Sequence, residues 1–375
     1  MIGSHHGSTL ATATRFEWPL IVISLLLAAI GVCIIYSATV PMGDVGMSLV
    51  LRQITWCSLG LILMAAFLLT DYRFLERWAV WFYLAVVVAL VVVWSLGKVT
   101  AGSKRWIDLG LMQFQPSEFA KLAVVIILAK VYQDFAGKTK LHLRDLTKPF
   151  ILAAIPVFLV FVQPDLGTGG VIALIAVSMT VFVGIERRAL LVLGTVAACA
   201  VPVAWLAADR LLFTYQKRRL LTYLNPDYDP LGSGYHIMQS HIAIGSGGLL
   251  GKGYLQGTQN QLMFLPAKHT DFVFSILAEE WGFVGCATVL VLFSLLFLRG
   301  MAVAAMSRDS FGALAAFGCT TIIFWHVAIN IGMVMGLLPV VGVPLSFLSY
   351  GGSSLLSSFL VIAILVNVSM RRFTF

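Results

Sequence analysis

The chain has 375 residues, of which 59% are hydrophobic and only 11% charged, with a formal net charge of +8. A water-soluble domain of this length needs a charged surface that so few charges cannot supply. Its apolar runs are too long and too numerous for a signal peptide, and too continuous for an alternating membrane barrel. The composition therefore predicts an all-α integral membrane protein.

Ten spans are predicted in chain order: Trp18–Tyr36, Ile54–Leu69, Trp78–Leu96, Phe119–Tyr132, Phe150–Val162, Gly169–Ile185, Ala189–Ala208, Phe272–Leu298, Phe311–Leu338 and Leu345–Val368. No internal repeat and no separate soluble domain interrupts them, so residues 1–375 read as one polytopic domain. Ten spans put both termini on one side. The connections on that side hold thirteen Lys and Arg (Arg15, Arg73, Arg77, Lys138, Lys140, Arg144, Lys148, Arg187, Arg188, Arg299, Arg308, Arg371 and Arg372). The short loops opposite hold Arg52, Lys98, Lys104 and Arg105. The positive-inside rule places both termini in the cytoplasm.

Two long connections then face outward, Gly97–Ser117 and Asp209–Thr270. Loops this long usually fold and carry function. The second, between spans seven and eight, should form short interfacial helices broken at Gly245-Ser246-Gly247-Gly248 and Gly251-Lys252-Gly253. Its run Tyr215–Tyr223 fits a basic interfacial helix. Its Arg210, Lys217, Arg218, Arg219, Lys252 and Lys268 suit either an anionic ligand or anionic lipid headgroups.

The fourth span opens with FQPSEFAK. Pro116 and Ser117 signal a helix start, and Glu118 and Lys121 share one face of the first turn. Asp165, in QPDLGTGG, can cap the sixth helix. Asp271 stands where the polar loop meets a strongly apolar helix. A carboxylate there can accept a proton, particularly if Lys121 lies beside it and holds it ionised. The helix macrodipole alone also favours an acid at this position. Glu279 and Glu280 follow roughly 12 Å further along the same helix. Consecutive residues diverge by about 100°, so the pair should not line one groove, and structural ion pairing is the expected role. His326 and Asn330, four apart, read as interhelical hydrogen-bond glue. The tail PLSFLSYGGSSL, Pro344–Leu355, suits a broken or closely packed helix. Five scattered cysteines show no metal or disulfide spacing.

Five stretches together carry a resemblance: GSKRWIDLGLMQFQPSEFAKL (Gly102–Leu122), QPDLGTGG (Gln163–Gly170), QSHIAIGSGGLLGKG (Gln239–Gly253), QGTQNQLMFLPAKHTDFVFSILAEEWGFVG (Gln256–Gly285) and the tail motif. In order and wording the chain resembles the shape, elongation, division and sporulation (SEDS) family, and its QGTQ and KHTDFVFSILAEEWG segments are closer to the elongation branch than to the division branch. The resemblance implies a peptidoglycan glycosyltransferase that polymerises lipid II at the outer face of the cytoplasmic membrane. It implies Asp271 as the essential acid, with Glu118 and Lys121 as its catalytic neighbours. It implies Arg105, Arg218, Arg219, Lys252 and Lys268 as diphosphate or sugar contacts. It also implies a class B penicillin-binding protein as partner, and a divalent cation, Mg²⁺ or Mn²⁺, held by the substrate diphosphate rather than by the protein. A lipid II flippase and a non-enzymatic scaffold for a penicillin-binding protein are the rival expectations.

Overall fold

The computed structural model describes residues 16–96, 98–100, 103–108, 113–135, 137–138, 140–206, 219, 221–225, 232–264 and 269–371. Among the described residues, ten long apolar helices answer to the ten predicted spans. They are α1 (Trp18–Thr39), α2 (Asp44–Leu68), α3 (Arg73–Leu96), α4 (Pro116–Gln133), α5 (Thr147–Val162), α6 (Leu166–Val183) and α7 (Arg187–Leu206), then α9 (Val273–Met306), α10 (Ser310–Val334) and α11 (Gly352–Arg371). A further helix, α8 (Ser233–Gly247), and a single turn at Thr258–Gln261 lie in the described part of the long connection before α9. Eight of the ten are long and apolar enough to cross a membrane. Helix α4 fails that criterion because Glu118, Lys121 and Lys130 fall within its 18 residues. It is also buried almost throughout, packed against α3, α5, α6, α10 and α11, so its charges are kept from lipid. The outer helices α2, α3 and α5 turn Leu51, Ile62, Trp81, Val88, Phe150 and Phe158 outward, as lipid-facing surfaces do.

The sequence predicts no strands, yet Gly97–Ser117 contains a three-stranded antiparallel ribbon: β1 (Lys98–Thr100), β2 (Ser103–Asp108) and β3 (Gln113–Phe114). Strands this short leave almost no periodic signal. The ribbon is tied down where α11 begins, because the Gln115 N–H donates to Ser353 Oγ at 3.0 Å. Helix α4 starts at Pro116 after an extended Gln115, which leaves Ser117 inside the helix with its hydroxyl unpartnered rather than capping it. Proline suits that first position because its missing N–H would have no helical partner there.

The tenth span begins at Gly352 rather than at Leu345. Residues 339–345 instead form an irregular strap between α10 and α11. Pro339 and Pro344 lack the N–H a helix needs and restrict the residues before them. The strap ends in a turn closed by the Leu345 N–H on Ser349 Oγ at 2.8 Å.

The helix in this connection ends at the expected break, Gly245–Gly248. Helix α8 runs through to Gly247 and packs along α9. The chain then turns at 248–253 against a discontinuity in α9 at Gly282, which has φ +63°. Four backbone hydrogen bonds join the turn to α9 on either side of that break. Lys252 N–H donates to Glu279 O at 3.0 Å, Gly253 N–H to Glu280 O at 3.1 Å, Phe283 N–H to Gly248 O at 2.9 Å and Val284 N–H to Leu249 O at 3.1 Å. Gly282 lies about 13 Å along α9 from its start, so this segment reaches well below the rim of the bundle, with Leu249 and Leu250 exposed along its flank. A Cβ on Gly251 would meet Glu280 O at 2.1 Å, which shows how closely the two backbones approach.

Candidate active site

Five features meet at one end of the bundle: the start of α4, the start of α6, the turn before α9, the strap and ribbon strand β2. Asp271 occupies the turn before α9. Its carboxylate is half-buried, and among the described residues no hydrogen bond engages it. Asn330 on α10 fixes the backbone beneath it, donating through Nδ2 to Asp271 O at 3.0 Å and to Val343 O at 2.8 Å. The strap faces the carboxylate with bare backbone. A Cβ on Gly342 (φ +72°) would lie 3.4 Å from Asp271 Oδ2 and 3.9 Å from Arg219 Nη1. Arg219 is itself docked on the strap, donating to Val340 O at 3.0 Å.

On the other flank, Arg105 from β2 pairs with Asp165 at 3.6 Å and also donates to Pro164 O. Asp165 caps α6 as expected, accepting from Thr168 N–H at 3.2 Å. It also contributes charge to the site. Burial pushes the Asp271 carboxyl up to about 6, the Arg219 and Arg105 guanidiniums pull it down, and Asp165 adds to the rise. The expectation of a depressed value set by Lys121 is therefore corrected. Burial outweighs the cations, and those cations are guanidiniums. A base with that value is ionised near neutral pH and still basic enough to take a proton.

Lys121 and Glu118 do come together, at 2.8 Å, but deep in the core, with each side chain 2% exposed. Lys121 Nζ also meets His326 Nε2 at 2.6 Å, and His326 Nδ1 lies 3.0 Å from Pro344 O. A carbonyl only accepts, so Nδ1 carries the proton and Nε2 accepts from the ammonium. Ser357 Oγ completes the chain, donating to Glu118 Oε2 at 3.3 Å. The pair thus supports the strap from below and makes no contact with Asp271. One helical turn separates His326 from Asn330 on α10, and that spacing sets the two levels apart.

Lys252 pairs with Glu279 at 2.7 Å, and Glu279 Oε1 also accepts from Thr258 Oγ1 at 3.1 Å and Gln259 N–H at 3.0 Å. Glu280 accepts from Ser37 Oγ on α1. Structural pairing was the expected role for these acids. Their divergence was overestimated, because a Cβ on Gly257 would lie 2.9 Å from Glu279 Oε2 and 3.2 Å from Glu280 Oε1. The connection sits astride both. Arg218, Lys268 and most of Tyr215–Tyr223 lie outside the described residues. Sequence reasoning missed Gly342 entirely, and it placed Asp165 at the outer face with Asp271 but gave it no role beyond a cap. The signal for Gly342 was available in the pair of prolines that bracket it.

Residues 17–373 match the FtsW/RodA/SpoVE family, described as a cell cycle protein. The chain is 41% identical to the peptidoglycan glycosyltransferase MrdB of Escherichia coli K12, over 94% of this chain and 93% of MrdB. It is 38% identical to stage V sporulation protein E of Bacillus subtilis, over 93% of this chain and 96% of that protein. A solved structure of a peptidoglycan synthase complex, described as coordinating polymerization and crosslinking, superposes with a TM-score of 0.81 at 31% identity, covering 96% of this chain and 99% of that one. The rod shape determining protein RodA of Thermus thermophilus superposes at 0.71 with 29% identity, covering 96% and 98%. This multi-pass membrane chain, with its motifs in order and its helices superposable on RodA, belongs to the FtsW/RodA/SpoVE (SEDS) family.

Proposed function

We propose that this chain is a peptidoglycan glycosyltransferase, most like RodA, that polymerises lipid II during cell elongation. The active end of the bundle faces outward across the cytoplasmic membrane, and both termini lie in the cytoplasm. One observation carries the reading. A half-buried carboxylate, with no hydrogen bond to a described residue and a value near 6, stands between two guanidiniums and bare strap backbone. That arrangement offers a proton acceptor beside sites for departing phosphate charge.

The donor sugar is α-linked to diphosphate and the polymer linkage is β, so a single displacement with inversion suffices. The acceptor's 4-hydroxyl oxygen bonds to the donor anomeric carbon as the bond from that carbon to diphosphate breaks. Asp271 takes the hydroxyl proton, and the lipid diphosphate leaves with the bonding pair. The base lies opposite the leaving group, as in inverting glycosidases. Arg219 and Arg105 offset the charge on the diphosphate. Glu118 and Lys121 act as positioning residues beneath the strap. Lys252, committed to Glu279, holds the connection rather than the substrate. The donor set around Asp271 fits a protein-held metal poorly, because Arg105 and Arg219 already flank its two carboxylates. Mg²⁺ or Mn²⁺ would arrive on the substrate diphosphate and add charge neutralisation there.

The partner reading is a class B penicillin-binding protein, which suits the likeness to a synthase complex. A flippase needs a polar path through the bundle. Below Lys121, α4 continues through buried Leu122–Ala129, an apolar plug. The test is purified protein with lipid II, alone and with the partner, with glycan length read on a gel. Ladders from the native chain and none from Asp271→Asn are expected. Normal ladders from Asp271→Asn would overturn the assignment.

A further inference from the structure

We propose that Asn330 is the positioning residue that sets the catalytic aspartate against the strap. The inference rests on the glycosyltransferase reading above and adds a residue to it. Asn330 is fully buried on α10, and one amide nitrogen spans two separate chain segments. Its Nδ2 donates to the carbonyl of Asp271 at 3.0 Å and to that of Val343 at 2.8 Å. Both hydrogens of the amide are thereby used, and each fixes one wall of the site.

The consequence is geometric. Val343 follows Gly342, whose exposed backbone faces Asp271 Oδ2, and Val340 in the same strap accepts from Arg219. Holding residue 271 to residue 343 therefore holds the carboxylate at a fixed separation from both the gap at Gly342 and the guanidinium docked on Val340. His326, one turn away on α10, secures Pro344 in the same manner. Helix α10 thus carries two hydrogen-bonding side chains that anchor consecutive strap residues, and Asn330 alone reaches across to the aspartate. A substrate hydroxyl must meet Asp271 within hydrogen-bond reach, and a misplacement of 1 Å costs on the order of a hundredfold in rate. Leu, Val or Ala at position 330 would satisfy the core but release both carbonyls.

The test compares Asn330→Ala with Ile322→Ala, a packing control on the same helix that leaves the clamp intact. Both are assayed as full-length protein with the cognate transpeptidase partner and lipid II. We expect Asn330→Ala to lower kcat at least tenfold with KM changed by less than about threefold. The acidic limb of its pH–rate profile should move to higher pH, because Asp271 is no longer held near Arg219. Ile322→Ala should leave that limb in place. Asn330→Gln, which keeps the amide one methylene further out, should recover part of kcat and part of the limb shift, and it carries the same test if Asn330→Ala does not fold. An unmoved acidic limb, or a loss of turnover no larger than the loss of folded protein, overturns the positioning role. Those outcomes leave the assignment of Asp271 untouched. Only a polymerising Asp271→Asn protein would remove that assignment.

Discussion

Replacing Asp271 by Asn should abolish polymerisation while making the protein no less stable, and more stable at neutral pH. The carboxyl rises from 3.8 in the unfolded chain to about 6 in the folded one, so the native state binds the proton more tightly. A raised acid opposes folding wherever it is ionised. The cost is complete above about pH 6, declines as pH falls through 6 towards 3.8, and disappears below that. The rise from 3.8 to about 6 corresponds to about 3 kcal/mol, and partial exposure of the side chain reduces this to ~1–2 kcal/mol. Asparagine removes the charge and keeps the shape. Thermal midpoints of both proteins in the same detergent, taken at pH 7.5 and again at pH 4, read the difference directly. The variant should melt higher at pH 7.5 and level with the native protein at pH 4. A variant that melts lower at pH 7.5 would mean that the carboxylate is held by favourable contacts, and the reasoning that makes it a poised base would fail. For the native enzyme the same value requires turnover to fall with unit slope below about pH 6.

Three other perturbations separate the parts of the site. Gly342→Ala places a methyl 3.4 Å from Asp271 Oδ2 at a left-handed backbone position. It should cost about 1–2 kcal/mol of stability and at least tenfold in turnover, and a fully active variant would show that the bare backbone facing Asp271 is not needed for substrate to reach it. Lys121→Met strands Glu118 in the core and should destabilise by about 3–5 kcal/mol, while Glu118→Gln with Lys121→Met should recover most of that loss. If the double variant folds but has no turnover at any pH, Lys121 touches substrate and the positioning role assigned to it is wrong. Gly282→Ala puts a Cβ 2.3 Å from Gly251 N at φ +63°. A drop in stability beyond about 2 kcal/mol is expected, measured as the thermal midpoint, and an unchanged midpoint would show that the two backbones separate readily.

The ten helices were legible because span-length apolar runs have few alternatives in a bilayer. What the sequence concealed are places where the backbone leaves the helix inside the bundle. The strap itself falls between the ninth and tenth predicted spans; what read as span is the stretch 345–351, and there the expectation of a broken helix over Pro344–Leu355 pointed the right way without giving its place. The turn at 248–253 was expected from its glycines, but its docking against Gly282 was hidden. Each of Gly251 and Gly282 is an ordinary glycine by itself, and the need for both appears only when two distant backbones touch. The ribbon Lys98–Phe114 was missed because strands of two to six residues carry too little pattern to weigh against a loop.

The site itself shows why proximity in sequence misleads about chemistry. Glu118 and Lys121 face one another as their spacing requires, and the expectation that Lys121 also reaches Asp271 came from placing two helix starts at the same level. Helix α4 sets Lys121 a turn inside its own start, where the nearest acceptor on α10 is His326 rather than anything on α9. Asp271, by contrast, precedes its helix, and so it meets Arg105 in a strand, Asp165 at a cap, Gly342 within the strap, and Arg219, a helical residue whose side chain docks on that strap. Residues just before a helix gather at the rim of the bundle, and residues one turn inside it gather beneath. A charge in the first group can exchange protons with an incoming hydroxyl. A charge in the second is shielded from it, and the contacts of Lys121 with His326 and of His326 with Pro344 suit a supporting role beneath the strap.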